Sequence, residues 1–322
     1  MRAIQALRAG GPEVLAETDL PVPSPGPGKI LIRQQAIGLN FIDTYQRSGL
    51  YPMTYPAVLG QEGAGIVEAV GEGVTRFKVG DLAGYGLGGL GGYADYKVIA
   101  EGRAVKLPDG VDARMAAASL LKGMTAEFLI RRCAPARAGD TVLVHAAAGG
   151  VGQILGQWAR ALGCRVIGTV GSEDKVAIAR EAGCDEVILY REEDVAARVR
   201  ELTGGAGVQV VYDGVGAATF EGSLDSLARR GMLATYGNAS GPAPPVAPLR
   251  LMKGSLFLTR PTLADYTATT EELDESAGAL LALMAEGKIK VAVGAEFPLS
   301  QARAAHEALE ARQTVGSTLL IP

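Results

Sequence analysis

The stretch Thr141-Val142-Leu143-Val144-His145-Ala146-Ala147-Ala148-Gly149-Gly150-Val151-Gly152 joins an apolar strand to a turn of small residues, and an amphipathic helical pattern follows over 153–162. Small residues let the backbone turn tightly and approach a phosphate, while the N–H groups at the start of the helix favour an anion. A strand, this turn and a helix in that order predict a dinucleotide-binding site. A glycine cluster alone is weak evidence, so an ordinary tight connection stays the alternative.

The same alternation continues on the C-terminal side of this stretch, which is typical of βαβ units around a parallel sheet. The predicted helices cover 174–182, 194–202 and 220–229. The further predicted strands cover 165–170, 186–190, 208–212, 232–236 and, as a late edge, 255–259. With the strand over 141–145 these make six. The fold class predicted for this region is α/β, with a doubly wound parallel sheet.

The segments on either side have a different pattern. The first 118 or so residues are short segments separated by Gly and Pro, which indicates a β-rich domain with a coiled, barrel-like sheet. The tail has a helix over 270–286, a strand over 291–297, a helix over 301–311 and a strand over 317–321. Because so short a segment buries too little surface to stand alone, we expect it to join the first domain. The predicted domains are therefore 1–118 with 264–322, and 119–263.

Composition points to a small ligand. The 322 residues are 48% hydrophobic and 20% charged, with a net charge of −4 and no long run of like charge. This balance disfavours partnership with nucleic acid or a membrane surface. No apolar stretch is long enough to span a membrane, so the expected location is cytoplasmic. Cys133, Cys164 and Cys184 have no Cys-x-x-Cys spacing, so neither a disulfide framework nor a cysteine metal site is expected.

The end of the second predicted strand bears on the choice between NAD and NADP. A carboxylate there would bind a ribose 2′-hydroxyl, but Gly171 and Ser172 occupy the position and Lys175 follows. A lysine can meet a 2′-phosphate as a point charge. This pattern favours NADPH. The alternative is that Lys175 is a solvated helix residue and Glu173 or Asp174 binds the ribose.

Several segments together resemble the zinc-free quinone oxidoreductases, relatives of zeta-crystallin in the medium-chain dehydrogenase/reductase superfamily. The resemblance covers nearly the whole chain and its segments are collectively specific. They are Gly11-Pro12-Glu13-Val14-Leu15, Gly38-Leu39-Asn40-Phe41-Ile42-Asp43-Thr44-Tyr45, His145 to Gly152, Tyr190-Arg191-Glu192-Glu193-Asp194, Val211-Tyr212-Asp213-Gly214-Val215-Gly216, Gly237-Asn238-Ala239-Ser240-Gly241, Thr259-Arg260-Pro261 and Gly316-Ser317-Thr318-Leu319-Leu320-Ile321-Pro322.

The resemblance implies a GroES-like catalytic domain built from both chain ends, a central Rossmann domain, and a nicotinamide in the cleft between them. It also implies a homodimer. The apolar late edge strand Gly254-Ser255-Leu256-Phe257-Leu258 gives this a physical motive, because an uncovered strand edge is a template for pairing across a two-fold axis. We therefore expect a homodimer formed through the edge strands of the Rossmann domain.

The resemblance also implies that no metal is bound. Zinc alcohol dehydrogenases of the superfamily carry a Gly-His-Glu ligand motif and an upstream cysteine, whereas this chain has Gly60-Gln61-Glu62 and Asn40 at those places. His145 and His306 are the only histidines, and His145 is expected to be a satisfied core residue. A site with Cys and His ligands cannot be assembled from these residues, so no zinc is predicted.

The resemblance assigns the site residues. Asn40 and Tyr45 are the predicted catalytic residues, beside the nicotinamide and the substrate, and Thr125 lies near the nicotinamide at the start of a domain-linking helix. The resemblance also implies that Tyr190 flanks the adenine and that Arg312 joins Lys175 at the 2′-phosphate. Tyr236, Gly237 and Asn238 are expected to face the nicotinamide ribose. The alternatives are that Tyr45 is a plain packed aromatic, that Arg312 is a favourable charge at a helix end, and that Asn238 is a turn residue. The predicted cofactor-binding residues are Asn40, Tyr45, Thr125, Gly149, Gly150, Val151, Gly152, Gly171, Ser172, Lys175, Tyr190, Tyr236, Gly237, Asn238 and Arg312.

The predicted reaction is hydride transfer from NADPH to a quinone without zinc. Asn40 and Tyr45 would orient the carboxamide or hydrogen-bond a quinone oxygen as it gains charge, and Tyr45 would offer a proton. One alternative is reduction of an activated alkene, such as an alkenal or an enoyl thioester. Another is an NADPH-binding structural or RNA-binding protein, which the lack of a basic stripe argues against.

Overall fold

The computed structural model describes all residues from 1 to 322 and contains nine α-helices and sixteen strands. The helices are α1 Phe41–Ser48, α2 Ala113–Phe128, α3 Gly150–Ala161, α4 Val176–Glu181, α5 Val195–Leu202, α6 Phe220–Ser226, α7 Leu263–Tyr266, α8 Thr270–Ala285 and α9 Ala302–Glu310. The strands are β1 Arg2–Ala6, β2 Leu15–Asp19, β3 Lys29–Leu39, β4 Ala57–Val58, β5 Glu62–Val70, β6 Leu82–Gly86, β7 Tyr96–Ala100, β8 Val105–Lys106, β9 Thr141–Val144, β10 Arg165–Val170, β11 Glu186–Leu189, β12 Val208–Asp213, β13 Leu227–Thr235, β14 Phe257–Thr259, β15 Val293–Pro298 and β16 Ser317–Ile321.

The chain divides into two compact units. The predicted domain boundaries near 118 and 263 stay predictions. None of the helices is long and apolar enough to cross a membrane. Unit 1 comprises Met1–Met124, Thr267–Gly278 and Val291–Pro322, and unit 2 comprises Thr125–Tyr266 and Ala279–Lys290.

Unit 2 is built on a six-stranded parallel sheet in the order β11-β10-β9-β12-β13-β14. Numbered from β9, this is the doubly wound order 3-2-1-4-5-6 of dinucleotide-binding folds, so the predicted fold class is confirmed. The central strands β9 and β10 are largely apolar and buried, which is typical of a sheet with helices on both faces. Each inner strand contributes fully buried residues to the core, among them Leu143, Ile167, Val211 and Leu233.

The predicted end of α6 and the predicted start of β13 are wrong. The helix predicted over 220–229 ends at Ser226, and the strand predicted from 232 already begins at Leu227. Leu227 pairs with Val208, and the strand is then interrupted by a register shift at which Arg230 adopts a positive φ of 64°. An irregularity of this kind leaves no periodic trace in the sequence.

The predicted place of Thr125 also needs correction. Thr125 lies in the last turn of α2, which begins at Ala113, and is not at the start of a helix. The helix starts early because Asp112 precedes it and accepts a hydrogen bond from the Met115 backbone N–H at 2.7 Å. The alanine-rich segment that follows, with Ala116 to Ala118 buried, favours a helix.

Unit 1 contains a seven-stranded sheet, in which β15, β16, β3, β5, β6 and β8 follow in that order and β7 also pairs with β3. A three-stranded sheet, β2-β1-β4, accompanies it. The tail joins the large sheet where β16 pairs antiparallel with β3, with Leu319 opposite Gly38. The pairing of β3 with β5 has two register shifts, which is the bulged, coiled geometry that the glycine-rich sequence predicts.

Candidate active site

The predicted cofactor residues of unit 2 gather at one edge of the parallel sheet. Parallel strands end at the same edge, and ligands of doubly wound sheets bind outside those carboxyl ends. The turn Gly149 to Gly152 follows β9, and Gly171, Ser172 and Lys175 follow β10. Tyr190 follows β11, and Tyr236 begins the segment after β13. The strand order therefore brings four separate segments to the edge that a dinucleotide would use.

The turn after β9 has room for a phosphate and little room for a side chain. Gly149 is the N-cap of α3, and the first turn of that helix carries no acidic residue. Ala146 adopts a left-handed φ of 52°, and its carbonyl oxygen would lie 2.3 Å from a Cβ at Gly152. Only glycine fits at position 152, because any side chain would collide with the turn. The free helix start and the close backbone approach fit a bound pyrophosphate.

The end of β10 lacks a carboxylate at the predicted ribose position. Gly171 lies so close to the neighbouring Tyr190 that an added Cβ would stand 2.8 Å from the tyrosine hydroxyl. Ser172 starts a short 3₁₀ turn over Glu173–Lys175, and Lys175 is half-buried. A hydrogen bond from Ser172 lowers the pKa of the exposed Asp174 carboxyl. These features fit a 2′-phosphate better than a bare ribose diol.

A buried polar network lies at the ends of β9, β10 and β12. The His145 ring is fully buried, with Nδ1 3.0 Å from Thr169 Oγ1 and Nε2 3.0 Å from Ser223 Oγ. Ser223 donates to Asp213 Oδ2 at 2.9 Å, so its hydroxyl oxygen accepts the proton of His145 Nε2. Burial lowers the pKa of His145, which is the neutral core histidine that was expected and has no exposure to a substrate.

Asp213 is a structural centre that sequence reasoning missed. Its Oδ1 accepts hydrogen bonds from the backbone N–H groups of Val215 at 2.8 Å and Gly216 at 3.1 Å, and from Thr219 Oγ1 at 2.9 Å. The carboxylate thereby shapes the loop that follows β12, at the point where the strand order of the sheet reverses. The signal was present in Asp213-Gly214-Val215-Gly216, which carried the family resemblance but was given no role.

The loops after β12 and β13 hold each other. A Cβ at Gly237 would lie 2.2 Å from the Gly214 carbonyl oxygen, and Ser240 donates its backbone N–H to Val215 at 2.8 Å. The Tyr236 ring packs against Gly214, where an added Cβ would stand 2.9 Å from it. Asn238 lies in the same interlocked pair of loops. Their backbone is therefore fixed before any ligand binds.

The predicted catalytic residues belong to unit 1. Asn40 is the N-cap of α1 and is 7% exposed, and Tyr45 is buried in the same helix with its ring edge-on to Tyr51. Arg312 follows α9 with a left-handed φ of 59° and is half-buried. Asn40 and Tyr45 thus belong to one short element, the helix α1 and its N-cap.

Asn40 is bound to a buried ion pair that sequence reasoning also missed. Its side-chain Nδ2 donates to Glu62 Oε2 at 2.8 Å, and the Lys122 ammonium contacts the same oxygen at 2.9 Å. Glu62 lies at the start of β5 and is fully buried, while Lys122 lies in α2 and is 5% exposed. A lysine inside the otherwise apolar stretch 120–124 was the available signal.

The residues that stand at the metal-ligand places of zinc dehydrogenases are neutral amides. Asn40 is held as described, and the buried Gln61 has a side-chain oxygen without a hydrogen-bond partner. No three His, Cys, Asp or Glu side chains lie close enough together to hold a metal ion.

Comparisons with known proteins agree with this geometry. Residues 26–109 match the family described as alcohol dehydrogenase GroES-like domain, and residues 150–284 match the zinc-binding dehydrogenase family. A quinone oxidoreductase of Pseudomonas aeruginosa is 51% identical over 100% of this chain and 99% of its own length. The chain belongs to the quinone oxidoreductase family of the medium-chain dehydrogenase/reductase superfamily. The family resemblance drawn from the sequence is thus confirmed.

Two further members of the superfamily bear on the chemistry of this family. The structure of Escherichia coli quinone oxidoreductase complexed with NADPH has a TM-score of 0.98 and 47% identity, with 100% of both chains covered. A 2-haloacrylate reductase of a Burkholderia species is 44% identical over 98% of this chain and 97% of its own length. Members with this degree of similarity therefore include a reductase whose name specifies an activated alkene.

Proposed function

We propose that this chain is a cytoplasmic NADPH:quinone oxidoreductase that transfers a hydride from NADPH to a quinone without zinc. The observation that carries the proposal is the carboxyl edge of the six-stranded sheet, where a helix start free of acidic residues and a strand end without a carboxylate lie together. Membership in the quinone oxidoreductase family supports the reaction.

The residues at the sheet edge fit NADPH. The start of α3, from Gly149 to Gly152, is the proposed pyrophosphate site, and Tyr190 is proposed to flank the adenine. Lys175 and Arg312 stay the predicted cations for the 2′-phosphate, with Gly171 and Ser172 leaving the space that a ribose-binding acid would occupy. Thr125, Tyr236, Gly237 and Asn238 are the proposed neighbours of the nicotinamide and its ribose. Bound NADPH supplies the hydride.

Asn40 and Tyr45 are the proposed catalytic residues. Both are buried in or at the start of α1, which restricts their motion and excludes water around them. Tyr45 offers a phenolic hydroxyl that can donate to a quinone oxygen as it gains charge. The absence of zinc rests on the donor set, because Asn40 and Gln61 supply amides where zinc enzymes supply a thiolate and an imidazole.

The test is turnover of NADPH with a panel of benzoquinones and naphthoquinones. We expect NADPH oxidation to accelerate on addition of quinone and to be insensitive to chelators. NADPH oxidation unaffected by every quinone would overturn the proposed reaction, and a stoichiometric metal ion in the purified protein would overturn the metal-free part.

Cofactor choice is tested separately with Lys175→Met. Loss of the cation should weaken NADPH binding by about tenfold and leave NADH binding unchanged, since a charge-assisted contact to phosphate is worth about 1.4 kcal/mol here. Lys253→Met serves as a control, because Lys253 is an exposed lysine that pairs with Asp225 in the same unit. Equal loss of NADH and NADPH affinity in Lys175→Met, or tighter binding of NADH by the wild type, would contradict the assignment.

A second candidate function is reduction of an activated alkene. The observation that favours it is the 44% identity to 2-haloacrylate reductase over nearly the full chain. The same panel decides between the two candidates when conjugated enals and 2-haloacrylate are added to it. Turnover of these alkenes with none of the quinones would favour the second candidate.

We also propose a homodimer that pairs through β14. This strand ends the six-stranded sheet, and Phe257 on it is 53% exposed. Leu249 and Met252, just before it in the chain, are each 74% exposed. Large apolar side chains beside an unpaired strand edge are typical of an interface. Light scattering should give twice the chain mass, and Phe257→Lys should shift it toward the monomer.

A further inference from the structure

The Glu62 carboxylate receives three donors although it is fully buried. Oε2 accepts from Asn40 Nδ2 at 2.8 Å and from Lys122 Nζ at 2.9 Å, and Oε1 accepts from the Leu121 backbone N–H at 2.7 Å. A buried ion pair seldom adds stability over apolar residues of similar volume, because both charges lose their hydration. We therefore expect the Glu62–Lys122 ion pair to have a role other than stabilising the fold.

The hydrogen bonds of Asn40 fix which way its amide faces. An amide nitrogen has two N–H groups, and those of Asn40 point to Glu62 Oε2 at 2.8 Å and to the Gly38 carbonyl oxygen at 3.3 Å. Both partners are acceptors, so exchanging the amide oxygen and nitrogen would set oxygen against oxygen. The backbone N–H of Asn40 is also engaged, since it donates to Asp43 Oδ2 at 2.9 Å. Asn40 thus has no N–H group left to give to a ligand.

The surroundings leave the carboxylate little freedom to move. A Cβ at Gly38 would stand 2.2 Å from Glu62 Oε2 and 2.3 Å from the Ala117 carbonyl oxygen. Glycine at this position lets β3, β5 and α2 approach closely enough for Glu62 to reach both Asn40 and Lys122. The Glu62 side chain is consequently held by packing as well as by its three donors.

We propose that Glu62, held in place by Lys122, is a positioning residue that makes Asn40 a pure hydrogen-bond acceptor toward the reacting ligands. The inference rests on the proposed function in one respect, that Asn40 borders those ligands. It follows that Asn40 accepts an N–H or O–H, as from a carboxamide or a hydroquinone hydroxyl. The sequence also suggested that Asn40 donates a hydrogen bond to the quinone oxygen. That hydrogen bond has to come from another group, and the Tyr45 hydroxyl is one that can donate it.

The proposal is tested by exchanging the amide and the carboxylate. Glu62→Gln puts an amide where three donors need acceptors, and Asn40→Asp sets two carboxylates against each other. The double variant restores one amide and one carboxylate, with the introduced glutamine now donating to the introduced aspartate, which becomes the anion near Lys122. An aspartate oxygen still faces the Gly38 carbonyl oxygen, so recovery is partial. We expect each single change to lower kcat/KM by at least about tenfold and the double variant to recover part of that loss.

Recovery is possible only if Asn40 acts as an acceptor, because aspartate has no N–H to donate. A double variant no more active than the weaker single variant would overturn the proposal, provided that its unfolding temperature matches the wild type. If these variants do not fold, Lys122→Arg and Lys122→Met are compared. Arginine keeps the cation, so we expect it to retain a larger part of kcat than methionine, with NADPH affinity within about threefold in both. Equal kcat in the two would overturn the proposal.

A matched control comes from Glu127, an equally buried carboxylate that binds Arg131 at 3.0 Å and Arg132 at 2.6 Å and is not bonded to Asn40. Glu127→Gln should combine additively with Asn40→Asp, whereas Glu62→Gln should not. The proposed function is examined first, on wild-type enzyme with quinones. Should that fail, the exchange is measured with a conjugated enal, and missing recovery there overturns the positioning role by itself.

Discussion

Each unit contains one histidine, and each histidine begins a buried series of hydrogen bonds that runs through a hydroxyl to a carboxylate. In unit 2, His145 Nε2–H donates to Ser223, which donates to Asp213. In unit 1, His306 Nε2 lies 3.0 Å from the Tyr93 hydroxyl, which donates to Asp43 Oδ2 at 2.9 Å. The carboxylate at the end of each series, Asp213 or Asp43, is fully buried. The two carboxylates nevertheless receive different numbers of hydrogen bonds.

The difference lies in the number of donors. Asp213 is bonded to two backbone N–H groups and two hydroxyls, so both oxygens are satisfied. Asp43 has the Asn40 backbone N–H and the Tyr93 hydroxyl, both on Oδ2, and its Oδ1 has no partner. Burial raises the pKa of Asp43 to about 7. A well-satisfied carboxylate shapes a loop, whereas a poorly satisfied one keeps its proton.

The largest effect is expected for Asp213→Ala. The change leaves two backbone N–H groups and the Ser223 hydroxyl without their acceptor in a buried place, and the Thr219 hydroxyl keeps only the Gly216 carbonyl oxygen at 3.2 Å. At about 1–3 kcal/mol for each unsatisfied group, the loss in unfolding free energy should exceed about 4 kcal/mol. Denaturant unfolding followed by circular dichroism measures it.

Asp213→Asn is the matched variant, because it keeps one oxygen for the backbone N–H groups of Val215 and Gly216. It should lose less than half as much free energy as the alanine variant. Equal losses in the two would show that the carboxylate does not shape the loop through these N–H groups.

The second effect is the change of unfolding free energy with pH, compared between the wild type and the isosteric variant Asp43→Asn. The pKa of Asp43 is about 7 in the folded chain and near 3.8 when unfolded. Between these values the unfolded chain has released the proton and the folded chain keeps it, so stability falls as the pH rises and levels off above about 7. Relative to Asp43→Asn, the wild type should therefore lose about 4 kcal/mol from pH 4 to pH 7.5, since one pKa unit corresponds to about 1.4 kcal/mol.

The comparison with Asp43→Asn is necessary because the histidines act in the opposite direction. Burial lowers the pKa of His306 to about 3 and also lowers that of His145. Both groups therefore cost stability as the pH falls below their unfolded value of 6.5. They are present in both proteins and cancel in the difference. A difference in stability that stays constant from pH 4 to pH 7.5 would contradict a raised pKa for Asp43.

These networks mark the limit of what the sequence could predict. Strand ends can be located from local patterns, so the sheet edge with Gly149, Gly171 and Lys175 was predictable, and so was the fold class. The prediction that the helix extends to 229 was wrong, because the bulge at Arg230, which has a left-handed backbone, leaves no local signature in the sequence. Thr125 was misplaced because α2 begins twelve residues before it, at Ala113.

The missed functional residues have a common cause. Glu62 meets Lys122 across 60 positions, and Ser223 meets His145 across 78. Such pairs exist only once the start of β5 lies beside α2 and α6 packs against β12, the neighbour of β9 in the sheet. No periodicity in either segment indicates its partner. The sequence identified Glu62 as part of a triplet and Asp213 as part of a motif, but their roles follow from what they bind.

The smallest effect is expected when the hydroxyl between the histidine and the carboxylate is removed. The variants to compare are Tyr93→Phe in unit 1 and Ser223→Ala in unit 2. Removing the Ser223 hydroxyl leaves the proton on His145 Nε2 without its acceptor and takes one of the donors from Asp213, which keeps Thr219 and two backbone N–H groups, so the expected loss is about 1 kcal/mol. Removing the Tyr93 hydroxyl takes one of only two donors from Asp43 and also leaves the proton on His306 Nε2 without its acceptor. Its loss should be about 2 kcal/mol.

Tyr93→Phe should in addition raise the pKa of Asp43 further, because the Tyr93 hydrogen bond lowers it now. The decline in stability with pH should then extend to higher pH than in the wild type, while Ser223→Ala should leave the pH profile as it is. Thermal unfolding of both variants from pH 4 to pH 9 measures the two quantities together. If Ser223→Ala proved the more damaging, the number of donors would not be what distinguishes the two carboxylates.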